Sequence, residues 1–389
     1  MKAPAIILSL CAAAAAAAQQ PLTIATIHEI DSATLGETRE IIIALPDGYE
    51  ESDADYPVLY MLDAQENAEH AIGTITTLTD VGLVPPMIFV GISSINRSRD
   101  LTPSAVTGDA NSGGAPAFLD FIADELMPWV EARYRANDHR ILEGHSYGGL
   151  FGGYALMEEP GLFEDYIILS PSFWWNGEEM VARAATHFAQ TAHPGTRVYF
   201  GIGDSDGWGM RQELRRFVEA LEGANPQGIS WHHEELANEE HMSVRAPAHY
   251  RALRYLFADI QMNVPAEDFE AADFRRHHAD IRARYGDAVR QQEATYHNVG
   301  LALLQAERRD DAVIVFEYLV DGYPGYHANY NLLARAREAA GQCALAADAF
   351  DAAANASTTH TGTFMRTGYL EEAQRMRTLL VDGSEACRD

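Results

Sequence analysis

A serine set among glycines, Gly144-His145-Ser146-Tyr147-Gly148-Gly149, has the make-up of a tight turn that lifts a hydroxyl out of the backbone. Arg140-Ile141-Leu142-Glu143 before it reads as a strand, and the small-residue run from Leu150 to Met157 reads as a helix. Strand, sharp turn and helix in that order make the G-x-S-x-G nucleophile elbow, where a glycine two positions to either side lets strand and helix approach. Ser146 is therefore the candidate nucleophile. A serine hydroxyl attacks a carbonyl when a base takes its proton and a third group orients the base. In an elbow of this kind the acid and then the histidine follow the nucleophile along the chain. Asp204 and Asp206 come directly after the apolar run 197–203, and His241 lies in the polar loop 238–243, between a strand-like run over 229–236 and an amphipathic helix over 247–259. One of the two aspartates orients the base, and their positions alone leave both open.

The remaining chemistry is narrow. His232 and His233 are neighbours on a strand and point to opposite faces, so they do not chelate one ion together, and His145 is read as packed against neighbouring loops. No H-E-x-x-H, paired-cysteine or Cys/His zinc spacing occurs, so no metal ligand set and no cofactor is expected. The chain holds a single lysine, Lys2, in a segment expected to be removed, which excludes Ser/Lys and Schiff-base mechanisms. Lys+Arg number 28 against 57 Asp+Glu, a balance that disfavours nucleic acid and anionic membranes as partners.

The elements that must hold these residues follow from pattern. Met1-Lys2, an apolar stretch to Leu10 and an alanine run to Ala18 have the form of a secretory signal peptide cleaved after Ala18, so a periplasmic or secreted protein is expected. Leu8-Ser9-Leu10-Cys11 falls short of a lipoprotein box because Leu10 is too large, and no segment has the run of apolar residues a membrane span needs. Export leaves Cys343 and Cys387, which an oxidising compartment permits to pair. Strands are predicted near 23–30, 38–45, 57–63, 86–92, 140–143, 166–170, 197–202 and 229–236, with helices near 115–134, 147–158, 178–190 and 209–222. That alternation predicts an α/β domain, a mostly parallel sheet with helices on both faces. In 115–134 the residues Phe118, Phe121, Ile122, Leu126, Trp129, Val130 and Tyr134 recur at helical spacing as a core stripe, and Pro128 is expected to kink the helix. Trp174 and Trp175, just past a strand's end, are as well suited to walling a substrate pocket as to packing.

Beyond residue 262 the strand signals stop. Tyr296, Gly300, Ala312 and Phe316 match Tyr330, Ala334, Ala346 and Phe350 at an offset of 34, the small and aromatic knobs of a tetratricopeptide helix pair, with Pro324 closing the first copy. The predicted organisation is a signal peptide over 1–18, the α/β domain over 19–262, a linking helix over 263–290, two tetratricopeptide-like repeats over 291–358 and a capping helix and tail over 359–389. Two copies are too few to stand alone, so they are expected to dock on the first domain as an appendage or lid; a protein partner on the repeats is the alternative.

The stretches Val90-Gly91-Ile92, Arg97-Ser98-Arg99-Asp100-Leu101-Thr102-Pro103, Phe118-Leu119-Asp120-Phe121-Ile122, Glu125-Leu126-Met127-Pro128, the serine elbow and Ser170-Pro171-Ser172 together resemble the putative-esterase family of α/β hydrolases, which includes enterochelin esterases, feruloyl esterases and S-formylglutathione hydrolase. The resemblance covers about residues 22–260, and some relatives carry tetratricopeptide-like helices similar to 274–352. It implies an α/β-hydrolase fold, Ser146 as nucleophile, His241 as base, and Asp206 ahead of Asp204 as the acid. It also implies an oxyanion hole from the backbone N–H of Tyr147 and one from the loop after Leu62. Where the family reads Leu-Asp-Gly this chain has Leu62-Asp63-Ala64-Gln65, so a positive φ at Ala64 is disfavoured and Gln65 is set ahead of Ala64 as the second donor. Arg97, Trp174 and Trp175 are the candidate pocket residues. The expected reaction is hydrolysis of a small ester of siderophore, hydroxycinnamoyl or acyl-sugar type through an acyl-enzyme. An acyltransferase of the same fold, and a repeat-mediated binding protein with a vestigial hydrolase domain, are the alternatives.

Overall fold

The computed structural model describes residues 22–357 and 362–387; the expected leader over 1–18 lies outside them. Eight strands, β1 (Thr26–Ser32), β2 (Glu37–Ala44), β3 (Tyr56–Leu62), β4 (Ile88–Ile92), β5 (Ala136–His145), β6 (Asp165–Leu169), β7 (Arg197–Gly203) and β8 (Ser230–Leu236), form one sheet in the order β1-β2-β4-β3-β5-β6-β7-β8. β1 and β2 form a hairpin and β2 runs antiparallel to β4, while β4 through β8 are all parallel. Every residue of β3, β4 and β6 is buried, as expected of strands covered on both faces. Alternation along each strand feeds two cores. Leu142 joins Tyr60, Phe151 and Phe217 on one face, and its neighbour Ile141 joins Leu59, Leu253 and Phe257 on the other.

Each predicted strand has a counterpart, and β5 is the one most extended, beginning at Ala136 beside Tyr56 ahead of a bulge. The helix α1 (Ala64–Asp80) escaped the sequence reading because Thr74, Thr76, Thr77, Thr79 and Gly73 are poor helix formers. It is held instead by the buried side of Ala71, Ile72, Ile75 and Leu78. A short α2 (Arg97–Leu101) follows β4. The expected kink at Pro128 takes a different form. α3 (Ala115–Asp120) passes into a π-helical segment over Phe121–Leu126 and then α4 (Met127–Glu131), with the Met127 N–H donating five residues back to Ile122. The wider turn sits where the proline ring and its missing N–H would break an α-helical ladder. The sheet is completed by α5 (Tyr147–Glu158), α6 (Trp175–Gln190), α7 (Met210–Ala224) and α8 (Arg245–Leu256).

After β8 and α8 the described chain is helical: α9 (Ala271–Tyr285), α10 (Glu293–Gln305), α11 (Arg309–Gly322), α12 (His327–Ala339), α13 (Cys343–Ala356) and α14 (Gly362–Val381). α10 and α12 begin 34 residues apart, as do α11 and α13. A Cβ on Gly300 would lie 2.6 Å from the Phe316 ring, so the first pair closes on a glycine where the second has Ala334. Cys343 and Cys387 are disulfide-bonded, tying the start of α13 to the tail beyond α14.

α9 and the turn after it join the two regions. Its Phe274 packs in the helical core, whereas Ile281, Tyr285 and Val289 pack beneath the sheet with Leu59 and Ile141. The Tyr285 hydroxyl donates to Asp259 and accepts from Arg197, the first residue of β7, and its ring meets His139 edge-on at 5.0 Å. Gly286 lies against Asp55, just ahead of β3. The helical region therefore docks at the N-terminal ends of the strands, whereas the serine elbow follows the C-terminal end of β5. It does not cover Ser146, so of the two expected forms, appendage or lid, the docking is that of an appendage.

Candidate active site

The elbow is strained. Ser146 has φ 62° and ψ −115°, left-handed backbone that a non-glycine residue adopts only when its surroundings enforce it. Its N–H donates to Leu169 O at 3.0 Å and its C=O accepts from Leu150 and Ser172, so β6 and α5 hold it on both sides. The glycines do unequal work. A Cβ on Gly144 would lie 2.2 Å from Gly148 O and one on Gly149 2.7 Å from Leu169 O, but one on Gly148 would make only ordinary contacts. The close approach expected of Gly148 falls instead to Gly144 and Gly149.

From loops at the C-terminal ends of β5, β7 and β8 the structure brings Ser146, Asp206 and His241 into one chain of hydrogen bonds. His241 Nε2 is 3.1 Å from Ser146 Oγ, and His241 Nδ1 is 3.0 Å from Asp206 Oδ2. Asp204 is used otherwise: its Oδ1 accepts from the Asn238 N–H and the Ser205 hydroxyl, bracing the base loop without touching the imidazole. Asp206 is buried. Burial works against its charge, but the hydrogen bond from His241, the nearby Ser170 hydroxyl and the charge of the histidine outweigh it, and its carboxyl is held below the usual range. It is ready to accept from an imidazole N–H and to balance an imidazolium.

His145 is packed, as expected, but it also makes a specific contact. Its Nε2–H donates to the backbone carbonyl of His241 at 2.6 Å, with the two rings 4.6 Å apart. Burial, with His241 beside it, pushes the His145 imidazole down to about 3, which keeps it neutral. Two further ties escaped the sequence reading. Arg245 donates to Met242 O and to Asn67 Oδ1, while Asn67 Nδ2 donates to Asp63 O, so the base loop is joined to the loop after β3. His249 Nδ1 lies 2.7 Å from Glu143 Oε2, both buried, which pins α8 to β5. No spacing signals partners so far apart in sequence.

The loop after β3 also differs from expectation. The positive φ falls on Asp63 (53°), and Ala64 opens α1 in ordinary helical geometry, so no glycine is needed there. Glu66 N–H turns back to Asp63 O, which leaves the amides of Ala64 and Gln65 at the helix start; the Gln65 side chain accepts from Ser94 N–H. Tyr147 N–H opens α5 in the same way, so two helix N-termini, each with first-turn amides and a positive dipole end, border the serine.

At the rim, Arg97 forms a two-point ion pair with Asp63 (2.8 and 3.0 Å), reaches over the Tyr147 ring at 5.5 Å and is 41% exposed. Arg99 in the same motif is structural, pairing with Glu37 and Asp100. The paired indoles divide. Trp175 is buried with its Nε1–H on Ser104 O, whereas Trp174 is 40% exposed and 5.9 Å from Tyr147. Three consecutive left-handed residues, Asn176, Gly177 and Glu178, follow this pair, and Asn176 Nδ2 donates to Ser104 Oγ. Trp208, two residues after Asp206, was missed altogether, because a lone aromatic between glycines reads as loop. His232 and His233 lie apart from the site; His232 stacks on Tyr255. Among the described residues no group of three His, Cys, Asp or Glu side chains is arranged to hold a metal ion, and no helix is long and apolar enough to cross a membrane.

Comparison with known proteins bears on the family and the fold. Residues 32–252 match the model of the family described as "Putative esterase". The chain is 30% identical over 234 residues to ferri-bacillibactin esterase BesA of Bacillus subtilis, covering 52% of this chain and 79% of that protein. It is 38% identical over 129 residues to a siderophore enterobactin esterase of Emericella nidulans, covering 28% and 43%. Among solved structures, an IroE-like serine hydrolase from Shewanella oneidensis superimposes with a TM-score of 0.65 at 25% identity, over 76% of this chain and 98% of that one.

Proposed function

From the premise that this chain belongs to the putative-esterase family, we propose that it is an exported serine esterase that cleaves a siderophore-type ester through an acyl-enzyme on Ser146. The hydrogen-bonded chain Ser146–His241–Asp206 carries this reading. His241 Nε2 takes the Ser146 proton as Oγ attacks the ester carbonyl carbon. The resulting oxyanion is held by the N–H of Tyr147 and one N–H at the start of α1, Gln65 ahead of Ala64. The imidazolium, balanced by Asp206, then gives its proton to the departing alkoxide. Water repeats the sequence on the acyl-serine and releases the acid. No residue outside the site needs to change charge.

The substrate class rests on two supports. A relative matched over most of this domain, and another matched over part of it, are named for siderophore esters. The rim also presents Tyr147 and the half-exposed Trp174, with Arg97, ion-paired to Asp63, over the Tyr147 ring, which suits an aromatic ligand. Export rests on the signal-like residues 1–18 and on the Cys343–Cys387 bond, which belongs in an oxidising compartment.

A fluorophosphonate probe should label Ser146 in the wild type and leave Ser146→Ala unmodified. In turnover, a catecholate triester should then have a higher kcat/KM than hydroxycinnamate or acetyl-sugar esters. Absence of both labelling and turnover removes the esterase reading, and a hydroxycinnamate preference removes the substrate class alone.

A further inference from the structure

Trp208 is the most exposed large aromatic residue among those described, at 85%. Its φ of 55° lies in the left-handed region that bulky side chains avoid, and Gly207 and Gly209 (φ 88°) flank it. Its one ring contact among the described residues is edge-on to His241, at 6.4 Å between centroids. An indole held in water, on strained backbone, beside the base is better explained by a ligand than by folding, because nothing among the described residues covers it.

The chemistry fixes which part of the ligand. His241 protonates the departing alkoxide, so the leaving oxygen lies within hydrogen-bond reach of Nε2, and a substrate group flanking the imidazole belongs to the alcohol half rather than to the acyl group on Ser146. We propose that Trp208 is a specificity residue for the alcohol half of the substrate, stacking on a planar aromatic group carried by the leaving alcohol. The neighbouring loop after β6 offers a second half-exposed indole, Trp174, so the rim presents flat faces on successive loops. The inference rests on the esterase reading and adds a consequence to it. Once the alcohol has left, Trp208 has nothing to hold, so it acts in acylation and not in deacylation.

Two esters with one acyl group and alcohols of similar acidity separate these roles: 2-phenylethyl butyrate and ethyl butyrate. In Trp208→Ala the ratio of kcat/KM for the phenylethyl over the ethyl ester should fall about tenfold, the size of a lost aromatic contact. Trp208→Phe should keep most of it, and hydrolysis of the isolated butyryl-enzyme should be unchanged. An equal loss on both esters, or slower deacylation, overturns the proposal and makes Trp208 a support for His241. Binding of 2-phenylethanol to Ser146→Ala, followed by NMR, keeps the two readings apart. About tenfold weaker binding when Trp208→Ala is added supports the contact even if neither butyrate ester is turned over; the esterase reading itself falls only if Ser146 also escapes the fluorophosphonate probe and the catecholate triester is not cleaved. Equal binding overturns the contact whatever the turnover.

Discussion

The sheet region and the helical region that follows it store strain very differently. Of nine non-glycine residues with positive φ among those described, eight precede residue 262, and Asp63, Ser146, Ser170, Trp208 and Asn238 each lie in a loop just past the C-terminal end of a strand. The described residues from α9 onward include one, Glu307, in the turn between α10 and α11. Each such residue costs roughly 1 kcal/mol or more. One rim of the molecule is thus held out of its preferred geometry, and the opposite end, where α9 docks, is relaxed packing of alanines and aromatics. The lesson is a division of labour: chemistry is gathered on the strained rim, and the helices reinforce the far end of the same strands.

The severest way to break that division is to separate the regions. Cutting after residue 262 removes Ile281, Tyr285 and Val289 from the core beneath the sheet, with a loss of roughly 1.5–3 kcal/mol for each large apolar side chain. We expect residues 19–262 to lose solubility and thermal stability while any folded fraction keeps esterase activity, and residues 291–389 alone to be poorly helical. Circular dichroism melts and probe labelling of both fragments check this. A 291–389 fragment that melts sharply as a monomer would make the helices autonomous and undo the reinforcement argument.

Within the rim, Ser146→Ala should lower kcat by on the order of 10³-fold or more with an unchanged melt. A folded variant keeping a tenth of wild-type activity would take Ser146 out of the mechanism. The acid gives the next largest effect. Asp206→Asn should cost at least about 10²-fold in kcat, because Asn cannot hold the imidazole tautomer that the carboxylate does. Asp204→Asn should cost less, since its carboxylate only braces Asn238. The reverse ranking would mean that the loop rearranges when substrate binds.

Much of this was legible in the sequence, for identifiable reasons. Strands buried on both faces leave continuous apolar runs, so 57–63 and 86–92 read directly as β3 and β4. Ser146 and His241, which the structure brings within hydrogen-bond distance, stood out as candidates because the elbow demands glycines at fixed spacing and a candidate base must follow a strand. The helix α1 was not, because tertiary burial overrides the poor propensity of its threonines. Choosing Asp206 over Asp204 took a family resemblance, since two acids separated by one residue differ only in where the loop points them. The choice between appendage and lid was not legible, because no residue pattern says which end of a sheet a set of helices will meet. Trp208, Asn67 and Arg245 act through neighbours distant in sequence or not at all within the fold, and periodicity carries no trace of either.

The smallest expected effect sharpens the comparison through pH. His145 is held down to about 3, and His193 and His278 to about 4, each first of all by burial. Each binds its proton more readily in the unfolded chain, near pH 6.5, than in the folded one. Their contribution to stability is therefore complete above about pH 6.5 and is lost as pH falls toward 4, by at most about 1.4 kcal/mol per pH unit per histidine. Thermal midpoints should drop between pH 7 and pH 5, and a flat profile would contradict the burial argument. The two regions then part company. His278, on α9, contacts Phe274 O and the Tyr296 hydroxyl, so His278→Gln should flatten the pH slope and leave kcat alone. His145 holds the His241 carbonyl, so His145→Gln should flatten the slope and also lower kcat, by about tenfold, through a looser base. If both substitutions leave kcat untouched, His145 belongs with the packing residues, and the strained rim is smaller than its geometry implies.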